Sequence, residues 1–291
     1  MAVRGRLPTD AVRRPSGETP TAMYPVVQRG GIRFFRRITR GTAGLFRNVG
    51  KRGYFVRDMG RALGDPATYL SETIRQMRNI GVDSIPLVII VAGFLGGVTA
   101  FQTYYQLFAG VQHSVVGLIS RQSIVLELGP LLTALVLTGR VGARMTAEIG
   151  TMRVTEQIDA LETLAYDPVA FLAVPRLIAS LIMLPALVTI ANATAIGTAY
   201  LTLILATPVT GSAFTEGLRL AFTPFQVVYS LIKAVLFGGA IAIVCAYEGY
   251  TTEAGAEGVG RSTARAVVIG SMAILVLDAI IAAGLAQYVR S

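Results

Sequence analysis

The sequence predicts an all-α integral membrane protein, because it is poor in charge and contains long uncharged apolar stretches. Hydrophobic residues make up 53% of the 291 residues and charged residues only 15%, whereas a soluble globular chain carries roughly 25% charged residues. Residues 84–120 and 177–215 contain no Asp, Glu, Lys or Arg. Each stretch exceeds the roughly 20 apolar residues that a membrane-spanning helix needs. The composition therefore places the chain in the membrane class.

The N-terminal quarter of the chain is strongly basic. Residues 1–78 hold 16 of the 26 Lys and Arg residues but only five of the 17 Asp and Glu, a bias typical of a cytoplasmic membrane surface. Residues 1–29 are rich in Pro, Arg, Thr and Gly, which predicts a disordered cytoplasmic tail. Residues 30–79 mix apolar residues with arginines, which predicts amphipathic helices in the membrane interface. Packing on a soluble core and nucleic-acid binding are the alternative interpretations of this basic segment.

The remaining residues, 80–291, are predicted to cross the membrane five times. The expected spans lie within 84–120, 122–144, 177–215, 223–247 and 263–288. No apolar run of a cleavable signal peptide is found in the first 25 residues, so we expect the internal spans to direct insertion. The loops at 140–176 and 248–265 carry six arginines, whereas those near 105–120 and 207–222 carry only Arg219. The positive-inside bias therefore predicts a cytoplasmic N-terminus and an extracytoplasmic C-terminus.

The chain carries little of the chemistry expected of an enzyme. One cysteine, Cys245, and one histidine, His113, provide neither an intrachain disulfide nor a metal cluster. The phosphate-binding pattern G-x-x-x-x-G-K-[ST] is absent, and Gly50-Lys51 is followed by Arg52. We therefore expect no catalytic, cofactor-binding or metal-binding residues here, and any ATP hydrolysis must come from another subunit.

A short acidic amphipathic helix is predicted near 153–167, between the second and third spans. Its apolar positions repeat at i, i+4, i+7 and i+11, which is one face of a helix: Val154, Ile158, Leu161 and Ala165. Its acids are Glu156, Asp159, Glu162 and Asp167. Such a helix at a cytoplasmic tip either packs on its own bundle or docks in a groove of a partner, with the acids as steering charge.

Two long motifs resemble the MlaE/YrbE permease family. They are ELGPLLTALVLTGRVGARMTAEIGTMRVTEQIDALETLAYDPVAFLAVPRLIA (127–179) and LIKAVLFGGAIAIVCAYEGYTTEAGAEGVGRSTARAVVIGSMAILVLDAIIA (231–282). A looser match is IGVDSIPLVIIVAGFLGGVTAFQ (80–102). The resemblance covers about residues 30–288 and leaves out the tail. That tail, and TYYQL after the first span, favour the actinobacterial branch that works with Mce proteins.

The resemblance implies the permease subunit of an ABC transporter that moves lipids (fatty acid, phospholipid, sterol or related) across the bacterial inner membrane. Two permease chains would pair at the centre, a cytoplasmic ATPase dimer would bind ATP and Mg below, and Mce-domain proteins would form a periplasmic ring or tube. An ATPase-coupling role is implied for Val154, Glu156, Gln157, Ile158, Asp159, Leu161 and Glu162. The lipid, the direction of transport and the choice between a homodimer and a pair of paralogous chains stay open. The rival hypothesis is a scaffold that anchors a periplasmic Mce assembly without moving substrate.

Three charged residues lie inside predicted spans: Glu127, Lys233 and Asp278. A charge in the hydrocarbon is costly, so each is a functional candidate for which a partner is expected. We expect Lys233 to pair with Glu127, Asp278 or both. One interpretation is a structural ion pair or triad that fixes helix register. The other is a polar cluster that couples span movement to ATP binding or meets a lipid headgroup.

Overall fold

The computed structural model describes residues 50, 52–62, 66–108, 110–253 and 255–290, without the side chains of 66–68 and 285–290. The predicted tail, 1–29, and the first part of the predicted amphipathic segment, 30–49, lie outside the described residues. The described residues form helices joined by short turns, and they include no strand. The predicted all-α fold class is therefore confirmed.

The helices follow one another with short connections. In chain order they are α1 (52–62), α2 (Pro66–Ile80), α3 (Ile85–Tyr105), α4 (Ser114–Ser123), α5 (Gly129–Leu137), α6 (Ala143–Val154), α7 (Gln157–Thr163), α8 (Pro168–Ala206), α9 (Gly211–Arg219), α10 (Pro224–Tyr250) and α11 (Ala256–Arg290). A 3₁₀ turn, Val82–Ser84, joins α2 to α3. Two wider π-helical segments, Ile124–Leu128 and Thr138–Gly142, join α4, α5 and α6 into one continuous helix.

Five helices of the described part are long and apolar enough to cross a membrane, as the sequence predicts. They are Tyr69–Tyr105, Ser114–Val154, Pro168–Ala206, Pro224–Tyr250 and Ala256–Gly284. Helix α7 joins the second and third spans at one end of the bundle, here called the α7 end. Helix α9 joins the third and fourth spans at the other, the α9 end. Several of these helices begin or end beyond the predicted limits of the spans. The prediction was based on hydropathy, which detects the apolar part of a helix and not its charged ends.

The third span shows this difference clearly. Its helix begins at Pro168, well before the apolar run at 177. The Asp167 carboxylate caps it by accepting hydrogen bonds from the N–H groups of Val169 and Ala170, at 2.9 and 3.4 Å. Pro168 occupies the first turn, where its missing N–H costs nothing. Asp167 therefore starts α8 rather than belonging to the predicted acidic helix.

Glycines allow close contact between the spans. Gly96 of α3 lies against the backbone of Ala195 in α8, and a Cβ at this position would overlap it. At the α9 end, Gly117 of α4 and Gly217 of α9 approach each other's backbone in the same way. Small residues at such points let membrane helices pack closely, and dispersion contacts then hold them together.

Helix α1 is attached to the α7 end of α10. Phe55 is buried, and its ring lies 5.6 Å from that of Tyr247 and 5.7 Å from that of Tyr250, measured between centroids. The guanidinium of Arg52 lies 2.6 Å from the carboxylate of Glu248. Aromatic packing and an ion pair thus fix the described part of the predicted amphipathic segment on the bundle.

Candidate functional site

The three charged residues expected inside the spans lie together, with Lys233 at the centre. The Nζ of Lys233 lies 2.5 Å from Oε2 of Glu127 and 2.7 Å from Oδ1 of Asp278. These residues come from the second, fourth and fifth spans. The Lys233 side chain is 0% exposed, that of Asp278 16% and that of Glu127 44%. Lys233 therefore pairs with both carboxylates, and only Glu127 presents a large open side.

The local sequence Glu-Leu-Gly-Pro explains why the second span opens at this point. Pro130 has no N–H to donate to the carbonyl of Leu126, four residues earlier. The helix widens here into the π-helical segment Ile124–Leu128, a geometry that is frequent at functional sites. Lys233 Nζ donates a hydrogen bond of 3.1 Å to the Leu126 carbonyl. Three oxygens thus lie within hydrogen-bonding distance of the ammonium, which has three donors.

Further polar and aromatic groups adjoin this cluster. The Tyr229 ring centroid lies 5.0 Å from Lys233 Nζ, a cation–π contact one helical turn away. Asn192 of α8 donates a hydrogen bond of 3.1 Å to the Ser230 hydroxyl. Gly129 leaves the space that the Asn192 amide oxygen fills. These neighbours were not predicted, although Asn192 and Ser230 are visible in the sequence as polar residues within apolar spans.

The cluster carries one positive and two negative charges. A charge buried in a low-dielectric medium is tolerated only beside a close partner of opposite charge. The single ammonium of Lys233 can neutralise only one of the two carboxylates. The half-exposed carboxylate of Glu127 therefore has an open side that can accept a further hydrogen bond. Among the described residues, no group of three His, Cys, Asp or Glu side chains is placed to hold a metal ion.

The predicted acidic helix near 153–167 differs from the structure in its extent. Helix α6 ends at Val154, and Glu156 adopts a left-handed conformation with φ of 60° before α7 begins. Ala165 is also left-handed, with φ of 62°, and ends α7. The N–H groups of Ala165 and Tyr166 return to the carbonyls of Glu162 and Leu161, each at 3.0 Å. This is the Schellman arrangement, which commonly uses glycine at the position of Ala165.

Two of the four residues predicted for the apolar face of this segment, Ile158 and Leu161, are turned toward the protein's own bundle. Ile158 is fully buried, and Leu161 is partly buried against the core. Asp159 forms an ion pair of 2.7 Å with Arg153. The remaining implied coupling residues lie apart from that face: Val154 at the end of α6, and the exposed side chains Glu156, Gln157 and Glu162. Ile158 and Leu161 thus pack on the bundle, and the docking of a partner on this segment stays a prediction.

A different apolar surface is exposed beside α7. Leu164 and Tyr166 lie in the turn that follows the helix, and both are exposed. The acids Glu156 and Glu162 are exposed nearby in the chain. Neither Leu164 nor Tyr166 belongs to the predicted helical face, and both flank Ala165, whose left-handed conformation ends the helix.

Two further charge clusters lie at the α7 end, and neither was predicted from the sequence. In one, Glu148 lies 2.8 Å from Arg144 and 3.2 Å from Arg176. In the other, Glu248 lies 2.6 Å from Arg52 and 3.4 Å from Arg265. In the sequence most of these arginines serve only as topology signals. The sequence signal that could have revealed the two clusters is an acidic residue, Glu148 or Glu248, near the charged end of an apolar helix.

Comparison with known proteins identifies the family. The family model described as "Permease MlaE" matches residues 73–283. A "Probable ABC transporter permease protein" of Rickettsia prowazekii is 41% identical over 216 residues, which cover 74% of this chain and 83% of the relative. A Synechocystis protein of the same description is 38% identical over 205 residues, 70% of this chain and 78% of the relative.

A third relative carries a more specific name. The "Intermembrane phospholipid transport system permease protein MlaE" of Haemophilus influenzae is 30% identical over 255 residues, which cover 87% of this chain and 97% of that protein. The family model reaches all five spans, and together these matches confirm the resemblance seen in the motifs at 127–179 and 231–282. The chain therefore belongs to the MlaE family of ABC transporter permeases.

Proposed function

We propose that this permease moves a phospholipid or a related lipid through the bacterial inner membrane, together with a separate ATPase and Mce-domain proteins. The observation that carries the proposal is the Lys233 cluster, which holds the half-exposed carboxylate of Glu127 within apolar spans. Charges at such depth are costly and are characteristic of substrate or ion pathways. The phospholipid-transport name of the Haemophilus influenzae relative supports the substrate class. A membrane scaffold, the rival function, has no need of this cluster.

The transport proposal is tested on the native complex. We expect the purified complex to contain an ATPase and Mce-domain subunits and to transfer a fluorescent phospholipid between vesicles when ATP and Mg are added. Transfer should stop when a non-hydrolysable ATP analogue replaces ATP. A complex with all these subunits, intact ATPase activity and no lipid transfer would favour the scaffold.

The ATPase is proposed to dock on the exposed surface beside α7. Leu164 and Tyr166 supply apolar anchors, and Glu156 and Glu162 supply steering charge. Ile158 and Leu161 then act indirectly, since they hold α7 on the bundle. The ATPase would thus still bind the segment implied by the family resemblance. It would contact the exposed side chains of that segment rather than the buried face of α7.

Substitution of Tyr166 tests this docking surface. Tyr166→Ser removes an exposed aromatic anchor, so we expect several-fold less ATPase to co-purify with the permease. Tyr105→Ser is the matched control, because Tyr105 is exposed at the end of α3, on the α9 side of the bundle. Equal ATPase recovery from both variants would contradict docking at Tyr166. Leu161→Arg is less suitable, since it would place a charge against the core and disturb the fold itself.

The orientation of the bundle is proposed from the positive-inside bias, with the α7 end and the N-terminus in the cytoplasm. Ser212 at the start of α9 and Ala256 at the start of α11 are both exposed and lie at opposite ends. A cysteine at Ser212 should react with a membrane-impermeant thiol reagent on intact cells. A cysteine at Ala256 should react only after permeabilisation, and the opposite pattern would reverse the topology. Cys245 is buried and gives little background labelling.

A further inference from the structure

A basic cleft opens at the α7 end between α2, α6 and α8. Its volume is about 720 Å³. The charged and amide side chains that line it are Arg75, Gln76, Asn79, Arg144, Glu148, Gln157 and Arg176. It is separate from the Lys233 cluster, which contains none of these residues.

The charges on the α6 and α8 sides of the cleft do not balance. Arg144 and Arg176 share the single carboxylate of Glu148. The Arg176 side chain is only 3% exposed. Its Nη1 donates a hydrogen bond of 2.6 Å to the carbonyl of Leu172, while its Nε is buried without a partner in the described part of the chain. A fixed guanidinium thus forms part of the wall, and the carboxylate neutralises only one of the two cations.

On the opposite side of the cleft, the one lining arginine is paired. Arg75 forms an ion pair of 3.1 Å with Glu72, whose carboxylate also accepts a hydrogen bond of 2.8 Å from Gln76. Arg140 lies on the second span one turn before Arg144, lines the adjoining recess and forms no ion pair with any described residue. Four arginines therefore stand against two glutamates, Glu72 and Glu148. The net positive charge makes the cleft suitable for an anion.

The depth of the cleft corresponds to the headgroup layer. Helix α3 has 21 residues, about 32 Å at 1.5 Å per residue, which matches a hydrocarbon layer of about 30 Å. Asn79 precedes the start of α3 at Ile85 by less than two helical turns, so the cleft lies just beyond the hydrocarbon. On another face of α2, Leu70 and Ile74 are exposed and apolar. Helix α2 thus turns polar side chains toward the cleft and exposes apolar ones on another face.

We propose that this cleft binds the phosphate of an anionic phospholipid headgroup from the surrounding leaflet. Arg75 and Arg144 are the accessible donors, and the buried Arg176 forms the base of the site. Guanidinium groups bind phosphate through paired, charge-assisted hydrogen bonds. Gln157, the first residue of α7, also lines the cleft, so a bound headgroup bridges α2 to α7. This site is independent of the lipid pathway proposed above.

Lipid retention by the full-length protein tests this site. The purified, delipidated chain is incubated with equal amounts of phosphatidylglycerol and phosphatidylcholine, and bound lipids are counted by native mass spectrometry. We expect wild type to retain phosphatidylglycerol preferentially. Arg75→Gln combined with Arg144→Gln should lower phosphatidylglycerol retention several-fold and leave phosphatidylcholine unchanged. Arg261→Gln is the matched control, because Arg261 is exposed near the start of α11 and does not line the cleft.

The possible outcomes separate a lipid headgroup from a soluble anion and from general lipid adhesion. An unchanged preference in the double variant, or an equal loss of both lipids, would overturn the proposal. Inorganic phosphate at millimolar concentration distinguishes the source of the anion. Phosphatidylglycerol that stays bound in its presence supports a lipid site. Complete displacement by inorganic phosphate would assign the cleft to a soluble anion instead.

Discussion

Two charge clusters in this molecule have opposite compositions. In the Lys233 cluster one ammonium lies between the carboxylates of Glu127 and Asp278. In the Glu148 cluster one carboxylate lies between the guanidinium groups of Arg144 and Arg176. The central group is fully buried in the first cluster, whereas Glu148 is 35% exposed in the second.

The difference follows from depth in the membrane. Within the hydrocarbon, water cannot replace a lost partner, so the central Lys233 depends entirely on its neighbours. At the headgroup layer, water and lipid phosphates offer alternative partners, and an excess of arginine is tolerated there. Substitution of a charged residue should therefore destabilise the protein more in the Lys233 cluster than in the Glu148 cluster.

The largest effect is expected for Lys233→Met. This substitution leaves two carboxylates close together without their cation, and breaking a buried pair in this way costs roughly 3–5 kcal/mol. We expect a large loss of assembled complex, measured as yield after affinity purification, and a lower thermal unfolding midpoint. Near wild-type yield would show that the carboxylates find other partners.

A matched double variant separates stability from transport. Lys233→Met with Asp278→Asn removes the cation and the more buried acid, and leaves only the half-exposed Glu127. We expect assembly to recover and ATP-dependent lipid transfer to stay low. A double variant with full lipid transfer would show that the cluster serves packing alone.

An intermediate effect is expected for Arg176→Met in the second cluster. The substitution removes hydrogen bonds to Glu148 and to the Leu172 carbonyl, and hydrogen bonds to charged groups contribute about 1.5–3 kcal/mol. Glu148 retains Arg144 and partial exposure, so the loss should be smaller than for Lys233→Met. The thermal unfolding midpoints of the two purified variants give the comparison directly. A larger destabilisation by Arg176→Met would contradict the role assigned to depth.

The smallest effect is expected for Arg144→Gln. The Arg144 side chain is half-exposed and its partner Glu148 keeps Arg176. Exposed ion pairs contribute roughly 0.2–1 kcal/mol, and salt screens them. We expect the unfolding midpoint to change little, and the change to shrink as salt is added. A strong, salt-independent loss would place Arg144 in a buried network.

The five spans and the partners of Lys233 could be predicted from the sequence. A charge inside a long apolar run is a local signal, and its cost requires a partner in another span. That requirement was enough to associate Lys233 with Glu127 and Asp278, and the structure contains both contacts. Their part in transport stays a prediction.

The end of the acidic helix could not be predicted, because the helix is terminated by residue types that do not normally signal a helix end. Glu156 and Ala165 adopt left-handed conformations that are usually taken by glycine or asparagine. Periodicity therefore continued across two breaks and assigned Ala165 to a helical face. The shared use of Glu148 by Arg144 and Arg176 was hidden for another reason, since it depends on side chains of α6 and α8 that meet across a cleft.

The π-helical segment Ile124–Leu128 has a consequence for the length of the gene. A π turn accommodates one more residue than an α turn, so the second span can be viewed as a helix that has absorbed an insertion. Deleting one residue from this segment would rotate the helix on its two sides by about 100° relative to each other. Glu127 or its supporting helix would then turn away from Lys233. The position of Glu127 in the cluster thus depends on the number of residues in this span as much as on their identity.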